Sequence, residues 1–506
     1  MTAFHPLFAV FASRALAGWD YAMFGLYFAI NLGIGWWCRR RSMATEKSYF
    51  LGSGRVAWWA AAVSFFATGV SSISFMALPA KSFQGDWMTS GSAPAQSLAG
   101  MVTGFVFVGA MRRLNMTTVF DYLERRFDRS VRYFGAGLAL VLKVFGRMSI
   151  IMLLPALALA AVTGLNVYAS ILLMGVVTTI YAMEGGFEAV VWTDVLQSAV
   201  MVGGVSIAIF HMAAGVEGGL GGIVRTASAA GKFHAVSWAF DLTQPTVWVF
   251  GGMFLATVFY QIGDQPLMQR MLATADERDA RRTVTMGNLI GLLSGVVFFF
   301  VGTALWAFYR AHPGRLAQMP SADTIFPYFI ANELPHGVVG VIFAGLFASA
   351  MGALASALNS SATVVVSDFY GTLRPGQTVA ERTRRAWWTT LICGVFATGM
   401  AVFLAWSNLP SLWDEFLRLA ALLGGGFPGV FALGLLTRRA NGPGVFLGAI
   451  AGIGFTGWVQ YFTATNVFFY TFAAIACTMI VGYLASLALA GDAPQKNLRG
   501  LTLWDI

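Results

Sequence analysis

The chain has 506 residues, of which 57% are hydrophobic and only 11% charged, and its mean hydropathy is +0.69. A soluble protein of this size needs several domains and a far more charged surface, so that class is excluded. Repeated apolar runs of about 20 residues also exclude a β-barrel, whose strands alternate and are about half as long.

Hydropathy predicts an all-α polytopic membrane protein with about 13 transmembrane helices. Residues 1–17 are mildly apolar and lack the basic start of a signal peptide; with the first span, 18–38, they form an N-terminal segment 1–55. Spans follow at 56–78, 93–111, 134–161, 166–183 and 189–214. After a loop at 215–245 come 246–263, 284–309, 336–367, 386–406 and 412–436. Residues 437–506 hold two more spans, 443–462 and 467–490, and a polar tail. No loop is long enough for a folded domain.

The formal charge of +9 could suggest nucleic acid, but most of the 32 Lys and Arg lie in alternate loops. The positive-inside rule reads this as an N-terminus outside and a C-terminus in the cytoplasm, and the low charge and short loops suit a bacterial inner membrane. No nucleic-acid partner is needed to explain it; the bilayer is. Cys38, Cys393 and Cys477 are far apart and form neither a zinc spacing nor a disulfide framework.

Two spans have unusual interiors. The second is small and hydroxylic through Ser64, Thr68, Gly69, Ser71, Ser72 and Ser74, as suits a helix that unwinds to offer carbonyls; close packing by small residues is the other reading. The seventh carries Gly251-Gly252 and a polar stretch, Gln261 to Pro266, and this second break five spans on hints at an inverted repeat. Arg147 lies inside the fourth span. A guanidinium at that depth is costly and keeps its proton, so an anionic or strongly polar group should answer it.

The segment Gly185-Gly186-Phe187-Glu188-Ala189-Val190-Val191-Trp192-Thr193-Asp194-Val195-Leu196-Gln197 closely resembles a signature of the sodium:solute symporter family, which includes glucose, proline, iodide and sialic-acid transporters. Matches continue in the family's order at Phe120–Phe127, Asp264–Arg270 and Leu358–Thr363, ending at Asp368-Phe369-Tyr370. The resemblance implies a LeuT-like fold with two five-helix inverted repeats, here 56–214 and 246–436. It also implies alternating access to a midplane site.

By that resemblance, Thr68, Gly69, Ser71 and Ser74 would face substrate; back-bonding to their own helix is the structural alternative for the hydroxyls. Arg147 matches an arginine that binds the substrate carboxylate in sialic-acid members; an ion pair or a cap on carbonyls is its alternative. Gln96 would be a neutral partner and Tyr260 a gate, or simply packing. The main sodium ion would take carbonyls of Ala67, Val70 and Ser349, and hydroxyls at two positions that are here Gly352 and Ala353, neither of which has a side-chain oxygen. A second sodium position would use Asp194 and Ser356, with Ala355 replacing a hydroxyl; Asp194 could instead be a proton site or structural.

These readings lead to a secondary-active symporter of an organic anion such as a sialic acid or another acidic sugar. No organic cofactor is implied, and Na+ is the family's coupling ion. A proton-coupled carrier or uniporter of the same fold, prompted by Gly352 and Ala353, is the first alternative, and a solute-binding receptor the second. An enzyme is not expected, since no metal cluster or nucleophile–base pair appears at membrane depth.

Overall fold

The computed structural model describes residues 16–42, 46–54, 56–70, 72–114, 116–316, 324–374, 376–407, 426–489 and 498–504. Every regular element among them is helical. The first half comprises α1 (Gly18–Ser42), α2 (Glu46–Leu51), α3 (Trp58–Gly69), α4 (Ser72–Gln84), α5 (Ser92–Val106), α6 (Val108–Arg113), α7 (Val119–Arg126), α8 (Arg129–Val141), α9 (Met148–Thr163), α10 (Val167–Ala214) and α11 (Gly219–Ala229). The second comprises α12 (Val247–Gly263), α13 (Gln265–Leu272), α14 (Glu277–Ala311), α15 (Ile325–Glu333), α16 (Val338–Val364), α17 (Gly371–Leu373), α18 (Val379–Ser407), α19 (Gly426–Leu436), α20 (Gly442–Phe462) and α21 (Tyr470–Ala488).

Among the described residues, seven helices are long and apolar enough to cross a bilayer, and two bent pairs bring the number to nine. Within α10, Gly186 adopts φ 56° and ψ −152°, a conformation costly for any residue with a Cβ. The predicted spans 166–183 and 189–214 therefore meet at a single glycine corner rather than across a loop. Most of the predicted span 412–436 lies outside the described residues; α19 is its described part.

Both bent pairs are broken helices. α3 and the stretch Ser74–Gln84 lie at 60° to one another, and α12 and α13 at 64°. α3 ends as Val70 turns extended (φ −90°, ψ 127°) while its N–H still donates to Phe66 O at 3.0 Å. Asp264 likewise turns extended at the end of α12 (φ −84°, ψ 103°), and Pro266 then sits in the first turn of α13, where its missing N–H costs no helical bond. The predicted polar break thus falls at Asp264, while Gly251-Gly252 continue within α12.

The second half of each broken pair has its last carbonyls answered by a distant cation. Lys232 Nζ donates to Phe83 O at 2.8 Å and Gly85 O at 2.7 Å, at the end of α4. Arg112 Nη1 donates to Met271 O at 3.0 Å and Thr274 O at 3.1 Å, and Nη2 to Ala275 O at 3.0 Å, at the end of α13. Cations belong at the negative end of a helix. Each contact joins segments that the charge pattern had assigned to one side of the membrane.

α16 runs through the centre, with 89% of its apolar window buried. Small residues let it approach its neighbours closely, which is how helices gain contact where lipid offers no hydrophobic gain. A Cβ added to Gly345 would lie 3.4 Å from Met201 Cα on α10, and one added to Gly340 would lie 2.7 Å from Asp20 Cα on α1. Buried Asp20 Oδ1 also accepts from Gly337 N at 2.7 Å and Gly340 N at 3.0 Å, capping the free amides at the start of α16.

Candidate substrate and cation site

The site gathers where α3 breaks. Thr68 is buried, and its Oγ1 donates to Ser64 O at 2.8 Å and lies 3.2 Å from Ser356 Oγ on α16. Its hydroxyl therefore back-bonds to its own helix while reaching across to α16. Gly69 is exposed, with open space where a Cβ would project, and Ser74 is half-buried on α4. Ser71 lies outside the described residues.

Arg147 stands in a π-helical turn, Leu142–Arg147, that links α8 to α9. Such a turn shifts the register of side chains and recurs at functional sites. Its Nη2 donates to Thr68 O at 3.2 Å, and its Nη1 is 3.8 Å from Asp264 Oδ2. Lys143 Nζ, from the same turn, is 3.7 Å from Asp264 Oδ1. Two cations thus share one carboxylate at long range, and the cluster carries one positive charge more than its single acid balances. Arg147 is 24% exposed at the side chain, so it remains reachable. Tyr260 is 42% exposed on α12; Gln96 is exposed on α5.

Beneath this cluster lies a fully buried ion pair. Arg270 Nη2 is 3.2 Å from Asp194 Oδ2 and donates to Ser356 Oγ at 2.6 Å. Its Nε donates to Ser64 Oγ at 3.0 Å, its Nη1 to Pro266 O at 2.8 Å, and Ser64 Oγ donates to Asp194 Oδ2 at 2.5 Å. Neighbouring Gln269 Nε2 donates to Thr363 Oγ1 at 2.6 Å and Asn359 Oδ1 at 3.3 Å. The half-helix α13 is thereby bonded into α3, α10 and α16. The place between Asp194 and Ser356, where the family pattern suggests a second sodium ion, is spanned here by the Arg270 guanidinium.

Ala67, Val70, Ser349 and Gly352, the residues that the family resemblance places at its main sodium position, border one small cavity, together with Gln197, Ser198, Met201 and Ala348. Ser349 Oγ donates to Leu346 O at 2.8 Å, and Ala353 is buried beside it on α16. Among the described residues no group of three His, Cys, Asp or Glu could hold a metal ion, so any cation here depends on carbonyls, amides and hydroxyls with one carboxylate.

Sequence reasoning did not assign roles to Ser64, Gln197, Ser198, Asp264 or Arg270. The signal was present for three of them: Gln197 ends one of the quoted family motifs, and Asp264 and Arg270 bound another.

Two broken helices whose breaks meet around ionisable groups and a buried small-residue helix define a secondary-active solute carrier of LeuT-like fold. The chain belongs to the sodium:solute symporter family, whose model matches residues 49–452; it is a transporter and not an enzyme. It is 33% identical over 474 residues to the sodium/sialic acid symporter NanT of Aliivibrio fischeri, covering 92% of each chain. It is also 33% identical over 484 residues to the sodium/sialic acid symporter SiaT of Proteus mirabilis, covering 95% of this chain and 96% of that one. A substrate-bound, outward-open structure of a Na+-coupled sialic acid symporter superposes with a TM-score of 0.88 at 30% identity, over 95% of this chain and 99% of the other.

Proposed function

We propose that this chain is a sodium-driven importer of an organic carboxylate of the sialic-acid class. The observation that carries the anionic substrate is the uneven charge of the Lys143–Arg147–Asp264 cluster, where two cations face one carboxylate at 3.7 and 3.8 Å. An incoming carboxylate would take the planar fork of Arg147, a geometry that lysine cannot match, and would displace the single bond to Thr68 O. The broken ends at Gly69 and Ser74 would lie along the sugar, and Tyr260 would act at the rim. That the relatives named above are sialic-acid symporters supports the same class. The chain would sit in a bacterial inner membrane with its N-terminus outside, its two repeats spanning 56–214 and 246–436.

Alternating access would exchange the contacts of α3, α4, α12 and α13 while the site stays near the midplane. Substrate held at Arg147 and a cation below the α3 break would stabilise the same arrangement of that break, which is the physical basis of coupling. The test is uptake of labelled N-acetylneuraminate into proteoliposomes with and without an inward sodium gradient. Sodium-driven accumulation is expected; accumulation driven equally by a proton gradient alone would replace sodium in the reading. That second reading has its own motive, since Gly352 and Ala353 lack the hydroxyls the family pattern expects.

A further inference from the structure

Within one turn of α10, the buried oxygens Asp194 Oδ1, Gln197 Oε1 and Ser198 Oγ have no hydrogen-bond partner. Their residues are 0%, 2% and 8% exposed. A buried polar oxygen without a donor is costly, so each calls for an explanation.

Two of them converge on one glycine. An ideal Cβ on Gly352 would stand 2.5 Å from Gln197 Oε1 and 2.8 Å from Asp194 Oδ1. A serine at 352 would collide with both, so the glycine is the space these oxygens occupy. Gln197 and Ser198 also border the cavity that holds Ala67, Val70, Ser349 and Gly352. Its volume is about 10 Å³, close to what one water-sized occupant needs.

The orientation of Gln197 follows from carbonyls that can only accept. Asn31 Nδ2 donates to Tyr27 O at 2.8 Å, which turns Asn31 Oδ1 toward Gln197. Tyr181 OH donates to Met351 O at 3.2 Å, so its oxygen is left to accept. Gln197 Nε2 serves both, at 3.2 Å to Asn31 Oδ1 and 3.4 Å to Tyr181 OH. A flipped amide would set oxygen against oxygen at Asn31. The chain of bonds therefore fixes Oε1 on the Gly352 side, beside a carboxylate oxygen of Asp194 that also lacks a donor. Adjacent bare acceptors repel each other in a low dielectric, and a small hard cation resolves that repulsion.

We propose that the coupling cation is held by Gln197 Oε1, Ser198 Oγ and Asp194 Oδ1 on α10, together with the carbonyls of Ala67, Val70 and Ser349, so that α10 supplies the oxygens that α16 lacks at Gly352 and Ala353. This rests on the symport reading above and adds its ligand set. Asp194 then has two duties, with Oδ2 bound to Arg270 and Ser64 and Oδ1 turned to the ion. The full positive charge of Arg270 on the far side limits the ion to a single charge, which favours sodium over a divalent cation.

The experiment is sodium-dependent thermal stabilisation of the purified protein, titrating NaCl against choline chloride at constant ionic strength without substrate. It is read beside the sodium dependence of uptake in proteoliposomes. Wild type should be stabilised by sodium and not by choline. Gln197→Ala should raise the half-saturating sodium concentration about 10-fold or more, and Ser198→Ala several-fold. Gly352→Ser alone should also weaken sodium binding, by crowding Gln197. Gln197→Ala with Gly352→Ser should recover part of it relative to either single change, because the serine then meets only Asp194 Oδ1 and its hydroxyl has the room that the glutamine vacated. That reversal is a coupling a merely structural role for Gln197 would not produce. Sodium dependence in wild type that is unchanged in Gln197→Ala and Ser198→Ala overturns the ligand set and leaves symport standing. A wild type indifferent to sodium, stabilised instead by lower pH, overturns both.

Discussion

Replacing Arg147 with alanine tests the anion reading most directly. In the structure this guanidinium makes one carbonyl hydrogen bond, 3.2 Å to Thr68 O, and one loose ion pair, 3.8 Å to Asp264. A carboxylate held by both arms of the fork would gain two charge-assisted bonds, each contributing about 1.5–3 kcal/mol. Giving up the present bond and the weak pairing offsets about 1 kcal/mol of that. The net of about 2–5 kcal/mol corresponds to a loss of about 30- to 4,000-fold in affinity. The assay is competition for labelled N-acetylneuraminate uptake by the acid itself and by its neutral methyl ester, in wild type, Arg147→Ala and Arg147→Lys. Arg147→Ala should lose the acid selectively and bind the two competitors alike. Arg147→Lys, which keeps charge but not the fork, should lose about 10-fold. An equal loss for acid and ester in Arg147→Ala would refute the assignment, because it would show a damaged site rather than a missing carboxylate partner.

Three further outcomes follow from the geometry. Arg270→Met leaves Asp194 buried without its guanidinium and should destabilise the protein by about 3–5 kcal/mol; adding Asp194→Asn should restore much of it, and thermal unfolding in detergent that shows no recovery would mean the pair is not the cause. Lys232→Met uncaps the end of α4, so the amides of residues 82–85 should exchange hydrogen about 5-fold faster, a change of about 1 kcal/mol in local opening; unchanged exchange would assign the cap no energetic role. A Cβ on Gly302 would collide with Pro79 O, so Gly302→Ala must push α4 off α14 at about 1–3 kcal/mol. A lower melting temperature and slower uptake are expected, and unaltered values of both would show that α4 need not press on α14.

The apolar runs by themselves determine that this chain is a bundle of membrane helices, because a backbone in lipid must satisfy its own hydrogen bonds. The hydroxyl-rich stretch around Thr68 and the proline after Asp264-Gln265 likewise mark both breaks, since each is a local property of a few consecutive residues. Arg147 stood out for the same reason, as a charge in an apolar run. Which partners these residues meet is a different kind of fact. Nothing local says that Arg270 reaches Ser64, Asp194 and Ser356 on three other helices, or that Asp264 faces Lys143 and Arg147. Gly352 illustrates the difference most sharply. Alone in the sequence it reads as a lost ligand; in the fold it is the gap into which Gln197 and Asp194 turn their oxygens. Helix formation follows from hydrogen bonds between residues four apart. A binding site depends on side chains from 76 positions apart, as for Asp194 and Arg270, to 288, as for Thr68 and Ser356, and only packing brings those together.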